Sequence, residues 1–309
     1  MTTRGIVVLT ALGTLCIQAG ALARPRRRLG PVPGPPRLTE RRDPDREVTV
    51  SVIVPTLNEA LNLPHVLPRI PSWVTEVILV DGGSKDGTVD VARRLMPAIH
   101  VIGQERPGKG AALQAGFAAS WGDIIVTIDA DGSTDPAEIP AFVGCLLAGA
   151  DFVKGSRFMQ GGGTADMGFV RQSGNWALRQ LVRVSFGGRY SDLCYGYNAF
   201  WRRALPVICA DADGFEIETS MNVRALAAGM RVVEIPSFEN ERIHGLSNLN
   251  TWSDGLRVLR TIARERAELR ARRRGAARRR LGSGTPMVRA LSPGANGRVV
   301  REAPADESA

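Results

Sequence analysis

The sequence predicts an α/β fold in which a mostly parallel sheet is flanked by helices. Three apolar runs rich in β-branched residues, within "VTVSVIVP", "EVILVDGG" and "DIIVTIDADG", have the length of buried strands. Segments with a helical pattern separate these runs, and strands that alternate with helices are typical of βαβ units. Strands of a parallel sheet are covered on both faces and are therefore apolar throughout, as these three are.

The first half of the predicted domain begins at Val48. The strand in "VTVSVIVP" ends at Pro55, and a short helix in "NEALNLPHVLPRI" follows it. The strand in "EVILVDGGSKDGT" runs into a Gly-rich turn, after which "TVDVARRLM" has a helical pattern. A short strand in "IHVIGQ", a helix of small residues in "GKGAALQAGFAAS" and the strand in "DIIVTIDADG" complete this half.

The second half starts with a helix whose first residues form a capping pattern. In "DPAEIPAFVGCLLAG", Asp135 is suited to the N-cap position, Pro136 to the first helical position and Glu138 to the third. A strand in "ADFVKGSRF", a helix over 171–186, a strand in "RVVEIPSF" and a helix over 251–281 follow in that order.

The charge of the 309-residue chain is concentrated at its two ends. The formal net charge is +9, but residues 47–256 carry −6, whereas residues 1–46 carry +6 and residues 257–309 carry +9. Because the Arg-rich ends lack interleaved aromatic residues, the sequence does not favour nucleic acid as a partner. The four cysteines form neither a CxxC pair nor a metal-binding pattern with His, which argues against a disulfide framework or a zinc site.

The N-terminal stretch 5–23 is mostly apolar and just long enough to span a bilayer. Only Arg4 precedes it, whereas four arginines follow within residues 24–28, and this asymmetry favours an N-out anchor over a cleaved signal peptide. An upstream extension without a membrane role is the alternative. The predicted organisation is a possible membrane anchor at 1–23, a disordered Pro/Arg-rich linker at 24–46, one folded domain at 47–250, a basic amphipathic helix at 251–281 and a disordered tail at 282–309.

Polar residues come directly after three of the predicted strands, at Pro55–Glu59, Asp81–Ser84 and Asp129–Asp131. Ligands of open α/β sheets bind at the carboxyl ends of the strands, so we expect these segments to converge on one crevice. Asp129 and Asp131 have the spacing of residues on the same side of a strand, and two carboxylates placed so closely repel unless a cation lies between them. Since Mg²⁺ is often held by one or two carboxylates together with substrate phosphates, the pair predicts a site for Mg²⁺ or Mn²⁺. A helix-capping turn is the alternative interpretation, but Asp135 is already placed for that role.

Six segments in a fixed order resemble family 2 glycosyltransferases of the Rossmann-like GT-A fold. These segments are "SVIVPTLNE", "VILVDGGSKDGT", "GKGAALQAGF", "IVTIDADGSTDP", "VKGSRF" and "RIHGLSNL". The resemblance covers about residues 48–250, and its nearest branch contains dolichyl-phosphate mannose synthases and other polyprenyl-phosphate glycosyltransferases. It implies a single catalytic domain that takes a sugar from a nucleotide-diphosphate sugar with the help of a divalent metal.

The resemblance also implies roles for individual residues. Asp129 and Asp131 would hold the metal, with Ser133 at the position of a further ligand. Arg157 would face the phosphates of the donor or acceptor, and Asp192 would lie near the sugar. The residues implied in binding the nucleotide sugar are Pro55, Leu57, Glu59, Asp81, Lys109, Asp129, Ala130, Arg242 and Asn248.

Four positions depart from the usual pattern of this branch. Gly82 stands where a second Asp is frequent, Ser133 where Gln is frequent, and Leu57 where a Tyr would offer a stacking surface for the base. Asn248 follows the Ser of the R-x-x-G-x-S motif where Lys is usual, and this change removes a cation that could reach a phosphate.

The expected reaction is sugar transfer with inversion at the anomeric carbon, through an oxocarbenium-like transition state. A lipid phosphate acceptor is already an oxyanion and needs no general base, whereas a hydroxyl acceptor would need one, for which Asp192 is the candidate. Asp192 could alternatively cap the following helix. The same donor chemistry on a soluble or glycan hydroxyl, and a catalytically silent nucleotide-sugar-binding protein, are the other hypotheses.

The Arg-rich ends fit a lipid acceptor. A helix as basic as 251–281 would attract anionic headgroups, by about 1 kcal/mol per basic residue near the surface. Together with the N-terminal anchor, it would hold the domain at the cytoplasmic face of the membrane. A solvated basic tail is the alternative.

Overall fold

The computed structural model describes residues 47–165, 167–209, 211–245 and 251–282, and in these ranges the chain forms a seven-stranded, mostly parallel sheet. The strand Asn198–Trp201 runs antiparallel to both of its neighbours, and the remaining neighbours pair in parallel. The strands, in the order in which they lie side by side, are β3 (His100–Gly103), β2 (Glu76–Asp81), β1 (Val50–Thr56), β4 (Ile124–Thr127), β7 (Asn198–Trp201), β5 (Phe152–Ser156) and β8 (Val232–Pro236). The predicted α/β class is confirmed.

Helices cover both faces of this sheet. They are α1 (Leu63–Val66), α2 (Thr88–Leu95), α3 (Lys109–Ala119), α4 (Ile139–Leu147), α5 (Phe169–Phe186), α6 (Leu205–Ile208), α7 (Glu216–Ala227) and α8 (Thr251–Gly282). Two short strands, β6 (Gly163–Thr164) and β9 (Phe238–Glu239), pair beside the main sheet.

The predicted capping pattern at Asp135 is present but begins a different element. Asp135 accepts a hydrogen bond from the Ala137 amide, and residues Pro136–Glu138 form a 3₁₀ turn before α4 starts at Ile139. Pro140 explains the difference, because it has no N–H with which to make the first α-helical bond to residue 136.

Apolar side chains fill both sides of the sheet. One layer includes Val54, Leu79 and Phe142, and the other includes Ile53 and Phe117, as expected for strands that alternate between two covered faces. These two apolar layers pack the helices against the sheet, and this packing supports the carboxyl ends of the parallel strands.

The described residues fall into two units, which divide after Arg266. Within the first, the early part of α8 packs against α5 and α7, through Val258 and Ile262 among others. In the ranges that the structure describes, no helix combines the length and the hydropathy that crossing a bilayer requires. The anchor predicted at 1–23, the linker at 24–46 and the tail after Gly282 lie outside these ranges, and they stay predictions.

Candidate active site

A cavity of about 420 Å³ opens at the carboxyl ends of β1 and β4. Its volume is in the usual range for small-ligand sites. The sequence-predicted residues that line it are Pro55, Leu57, Glu59, Lys109, Asp129, Ala130, Asp131, Ser133, Arg157 and Arg242. Asp81 and Asp192 do not line the cavity, and Asn248 lies outside the described residues.

Asp129 is paired with a lysine from the start of α3. The Lys109 Nζ lies 2.6 Å from Asp129 Oδ1 and 2.8 Å from Glu218 Oε1. Burial raises the pKa of Asp129 to about 6, an effect that Lys109 opposes and that Asp131 and Glu218 reinforce. Burial alone would lower the pKa of Lys109, but the two carboxylates raise it above its usual range. Lys109 is therefore a permanent cation held between two acids.

Two glycines keep Lys109 at this position. A Cβ at Gly108 or Gly110 would collide with the backbone carbonyl oxygens of residues 212 and 213. The Asp213 carbonyl accepts hydrogen bonds from the amides of Gly110 and Ala111, at 2.8 and 3.2 Å. This contact caps the exposed N–H groups of α3 and brings the 211–215 loop, which precedes α7 and Glu218, against the start of α3.

Asp131 is paired with an arginine that comes from the far end of the domain. Arg242 Nη2 lies 3.3 Å from Asp131 Oδ2, and Nη1 lies 3.0 Å from Glu59 Oε1. Ser133, predicted as a further metal ligand, donates its hydroxyl to Asp131 Oδ1 at 2.6 Å. Arg242 therefore links Glu59, after β1, to Asp131, after β4. The Ser133 hydroxyl fixes the orientation of the Asp131 carboxylate.

The segment that carries Arg242 is attached to the acidic loop through its backbone. The Asn240 amide donates to the Ser133 carbonyl at 2.9 Å, and the Ile243 amide donates to the Asp131 carbonyl at 3.1 Å. Gly132 between them has φ +83°, and a Cβ there would lie 2.5 Å from the Ile243 side chain. Only glycine suits both this conformation and this close packing.

Asp192 and Arg157 form a buried, bidentate ion pair. Arg157 Nε and Nη2 donate to the two carboxylate oxygens at 2.6 and 3.0 Å, and Arg157 Nη1 donates to Glu239 at 3.0 Å. Burial would raise the pKa of Asp192, but hydrogen bonds and charge from Arg157 hold it below its usual range. Because Asp192 is fully buried and both oxygens are occupied, the structure places it behind Arg157 and away from the cavity, unlike a general base.

Asp81 also lies outside the cavity. Its carboxylate accepts hydrogen bonds from the amides of Gly83 and Ser84, at 3.0 and 3.1 Å, and so stabilises the turn after β2. In the parallel pairing of β1 with β2, Asp81 lies opposite Thr56. It is therefore close to Leu57, which lines the cavity and is half exposed.

Comparison with known proteins identifies the family. The family model "Glycosyl transferase family 2" matches residues 51–208, which is more than half of the chain. The chain belongs to glycosyl transferase family 2.

Curated relatives agree with this assignment. The chain is 35% identical to a polyprenol monophosphomannose synthase of Mycolicibacterium smegmatis, over 64% of this chain and 80% of the relative. It is 34% identical to an undecaprenyl-phosphate mannosyltransferase of Micrococcus luteus, over 65% of this chain and 87% of the relative.

Solved structures confirm the GT-A glycosyltransferase fold. A glucosyl-3-phosphoglycerate synthase of Mycobacterium tuberculosis, solved with Mn²⁺, UDP and glucosyl-3-phosphoglycerate, matches with a TM-score of 0.57 and 26% identity. The match covers 71% of this chain and 80% of that one. The protein is therefore an enzyme, a glycosyltransferase.

The acids of this glycosyltransferase are chemically suited to a divalent metal. Asp129 and Asp131 present carboxylate oxygens to the cavity, and such hard ligands suit Mg²⁺ and Mn²⁺. In the described ranges, no cluster of three or more His, Cys, Asp and Glu side chains could hold a metal. Mg²⁺ commonly takes its remaining ligands from substrate phosphates and water.

The cavity extends beyond the predicted residues to the inner sides of α5 and α8. Arg171, Asn175 and Leu178 of α5 line this part, together with Val258 of α8. Asn175 is only 4% exposed; its Oδ1 accepts from the Leu193 amide at 3.1 Å, whereas its Nδ2 has no hydrogen-bond partner among the described residues. Sequence reasoning missed Arg171 and Asn175, and it left Glu218 without a role although it lines the cavity.

Proposed function

We propose that this glycosyltransferase moves a hexose from a nucleotide-diphosphate sugar of the GDP-mannose or UDP-glucose type to a polyprenyl phosphate. The observation that carries the proposal is the unsatisfied, buried Nδ2 of Asn175 in the cavity that also holds Asp129 and Asp131. A buried donor without a partner is costly unless a ligand satisfies it, and a phosphate oxygen would do so. Arg157 and Arg171 line the same cavity and supply positive charge for a phosphate.

The donor end of the proposed site contains Asp129 and Asp131, which would hold Mg²⁺ or Mn²⁺ against the donor diphosphate. Such a metal stabilises the negative charge that gathers on the leaving nucleoside diphosphate. Lys109 and Arg242 already lie beside the two acids, so both cations can also pair with the phosphates. Structures of glucosyl-3-phosphoglycerate synthase solved with UDP and Mn²⁺ or Mg²⁺ support metal use at such a site.

The acceptor end requires no proton transfer if the acceptor is a lipid phosphate. Asp192 holds Arg157 through two hydrogen bonds, so its role here is to position that cation. Attack by the phosphate oxygen from the side opposite the leaving diphosphate would invert the anomeric carbon. The names of the two mannosyl-transferring relatives support the polyprenyl-phosphate acceptor, and an acceptor of this kind agrees with a site of action at the cytoplasmic face of the membrane.

A soluble hydroxyl acceptor is the second candidate. It is favoured by the likeness to glucosyl-3-phosphoglycerate synthase, whose structure contains glucosyl-3-phosphoglycerate. This reaction would need a base in the cavity, and Glu218 rather than the enclosed Asp192 lines it.

Incubation of the full-length chain with a panel of nucleotide sugars and a polyprenyl phosphate tests the proposal. We expect mass spectrometry to detect a glycosylated lipid phosphate with one donor. A product on phosphoglycerate or another soluble hydroxyl, and none on the lipid, would contradict the acceptor assignment.

Removal of the metal should abolish transfer. With EDTA we expect the rate to fall at least about a hundredfold, because the leaving diphosphate loses its counter-charge. Added Mn²⁺ or Mg²⁺ in excess of the chelator should restore the rate. Full activity in EDTA would contradict the proposed role of Asp129 and Asp131.

Asn175→Asp should weaken binding of the acceptor phosphate. The variant keeps the oxygen that accepts from Leu193 but replaces the Nδ2 donor by a charge that repels an anion. We expect the KM for polyprenyl phosphate to rise about tenfold or more, with the donor KM unchanged. Gln160→Glu adds the same charge to an exposed position after β5, outside α5, and is the control; an equal effect of both variants would contradict a specific contact.

A further inference from the structure

We infer that the outer face of α5, defined by Phe169, Trp176 and Arg183, is the surface by which the folded domain contacts an anionic lipid bilayer. These residues are spaced by seven and therefore lie on one side of the helix. Phe169 is 76% exposed and Trp176 is 57% exposed. The inference rests on the proposed function, since it explains how a lipid-borne acceptor reaches the cavity.

The opposite side of the same helix belongs to the domain. Leu178 and Val182 are buried in the cluster shared with α7 and α8, and Asn175 lines the cavity. The helix thus has an inner face directed to the site and an outer face with aromatic side chains. A bilayer against the outer face would place a lipid phosphate within one helix diameter, about 10 Å, of the cavity.

The charge of this region matches an anionic surface. Helix α5 contains three arginines and no Asp or Glu, and Arg183 and the nearby Arg189 are exposed. The adjoining part of α8 adds exposed Arg260 and Arg264, whereas its acids are paired, Asp254 with Arg257 and Glu265 with Arg224. No negative charge on α5 opposes the approach of anionic headgroups.

The side chains on the outer face suit the boundary between headgroups and acyl chains. Trp prefers this boundary, and helices that lie on membranes combine Phe or Trp on one side with arginines. On α8, which packs beside α5, Leu256 and Leu259 are also exposed. Aromatic side chains on a helix whose charged residues are all basic favour an anionic lipid surface.

Vesicle co-sedimentation of the full-length chain tests the inference. The variant carries Phe169→Ala and Trp176→Ala, and the vesicles are phosphatidylcholine with or without phosphatidylglycerol. High salt is included because it screens the contribution of the Arg-rich tail but leaves apolar contacts intact. In high salt, we expect the double variant to bind phosphatidylglycerol-containing vesicles about tenfold less than the unmodified chain.

Trp121→Ala is the matched control, because Trp121 is 52% exposed but lies before the amino end of β4, whereas the cavity opens at the carboxyl end of that strand. It should bind vesicles as the unmodified chain does. Equal binding by the double variant and the unmodified chain would overturn the inference. A fall in the melting temperature of the double variant without vesicles would also overturn it, since it would show that the chain itself covers this face.

A short-chain, water-soluble prenyl phosphate separates this inference from the proposed function. The double variant should glycosylate the short acceptor at the normal rate, but a long-chain acceptor in vesicles about tenfold more slowly. If the unmodified chain glycosylates neither acceptor, the proposed function fails, while the vesicle measurement still decides whether α5 contacts lipid.

Discussion

Asp131→Ala should lower sugar transfer by about a hundredfold to a thousandfold, the usual effect of removing one preorganised group that stabilises developing charge. The substitution removes one of the two acids proposed to hold the metal and also one of the partners of Arg242. Arg242 keeps Glu59 at 3.0 Å, so the segment over the acidic loop should stay in place. The loss should therefore appear in turnover with little change in melting temperature.

Ser133→Ala is the graded control for this experiment. It removes only the hydroxyl that donates to Asp131 at 2.6 Å and leaves both acids present. We expect a decrease of about tenfold or less, equivalent to one hydrogen bond. If Asp131→Ala turned over sugar at the normal rate, the acidic pair would not be the catalytic centre.

Asp192→Ala should produce the largest loss of stability. The carboxylate is fully buried, and its removal leaves the Arg157 guanidinium with Glu239 as its remaining ion-pair partner. Breaking a buried pair from one side costs about 3–5 kcal/mol in the free energy of unfolding. For a domain of this size, each kcal/mol corresponds to about 2–4 °C, so we expect a fall of about 6–20 °C in the melting temperature.

Asp211→Asn provides the comparison for an exposed pair. Asp211 lies 3.4 Å from Arg106 but is 91% exposed, so its loss should leave the melting temperature nearly unchanged. A stable Asp192 variant that loses turnover, and whose pH–rate profile loses its acidic limb, would instead assign Asp192 as a general base.

The same pair gives a dependence of stability on pH. The folded-state pKa of Asp192 is below its ordinary value, so its contribution is fully present above the unfolded pKa of about 3.9 and is lost as the pH falls through the folded pKa. Acid titration of unfolding should therefore show a smaller loss of stability below about pH 4 for the Asp192 variant than for the unmodified chain.

The sequence predicted the half of the site that depends on strand ends. Asp129, Asp131 and Glu59 follow apolar runs whose parallel pairing could be expected, and topology alone then brings them to one edge. Arg242 and Lys109 were found only through motifs that resemble the family. Both belong to segments whose positions depend on contacts with distant parts of the chain, the acidic loop for one and residues 212–213 for the other.

The other half could not be predicted from local patterns. The pattern of apolar residues in α5 does not show whether Asn175 lies on the buried or the exposed side of the helix. Only the packing of α5 against α7 and α8 places it at the cavity. The burial of Asp192 depends on Arg157, 35 residues earlier in the chain. Ion pairs across such separations leave no periodic signal in the sequence.

The antiparallel strand β7 sets the distance between the proposed donor side of the site, at Asp129, and the proposed acceptor side, at Arg157. It lies between β4, which leads to Asp129, and β5, which leads to Arg157, and two strand spacings separate those neighbours by about 10 Å. Because β7 runs the other way, its beginning reaches the same edge and places Gly196 between them, where a Cβ would lie 2.6 Å from Glu218 and 2.8 Å from Lys109. The inserted strand thus acts as a spacer without a side chain at Gly196, and its width leaves room for one sugar ring between the acids proposed to bind the metal and Arg157, proposed to face the acceptor phosphate.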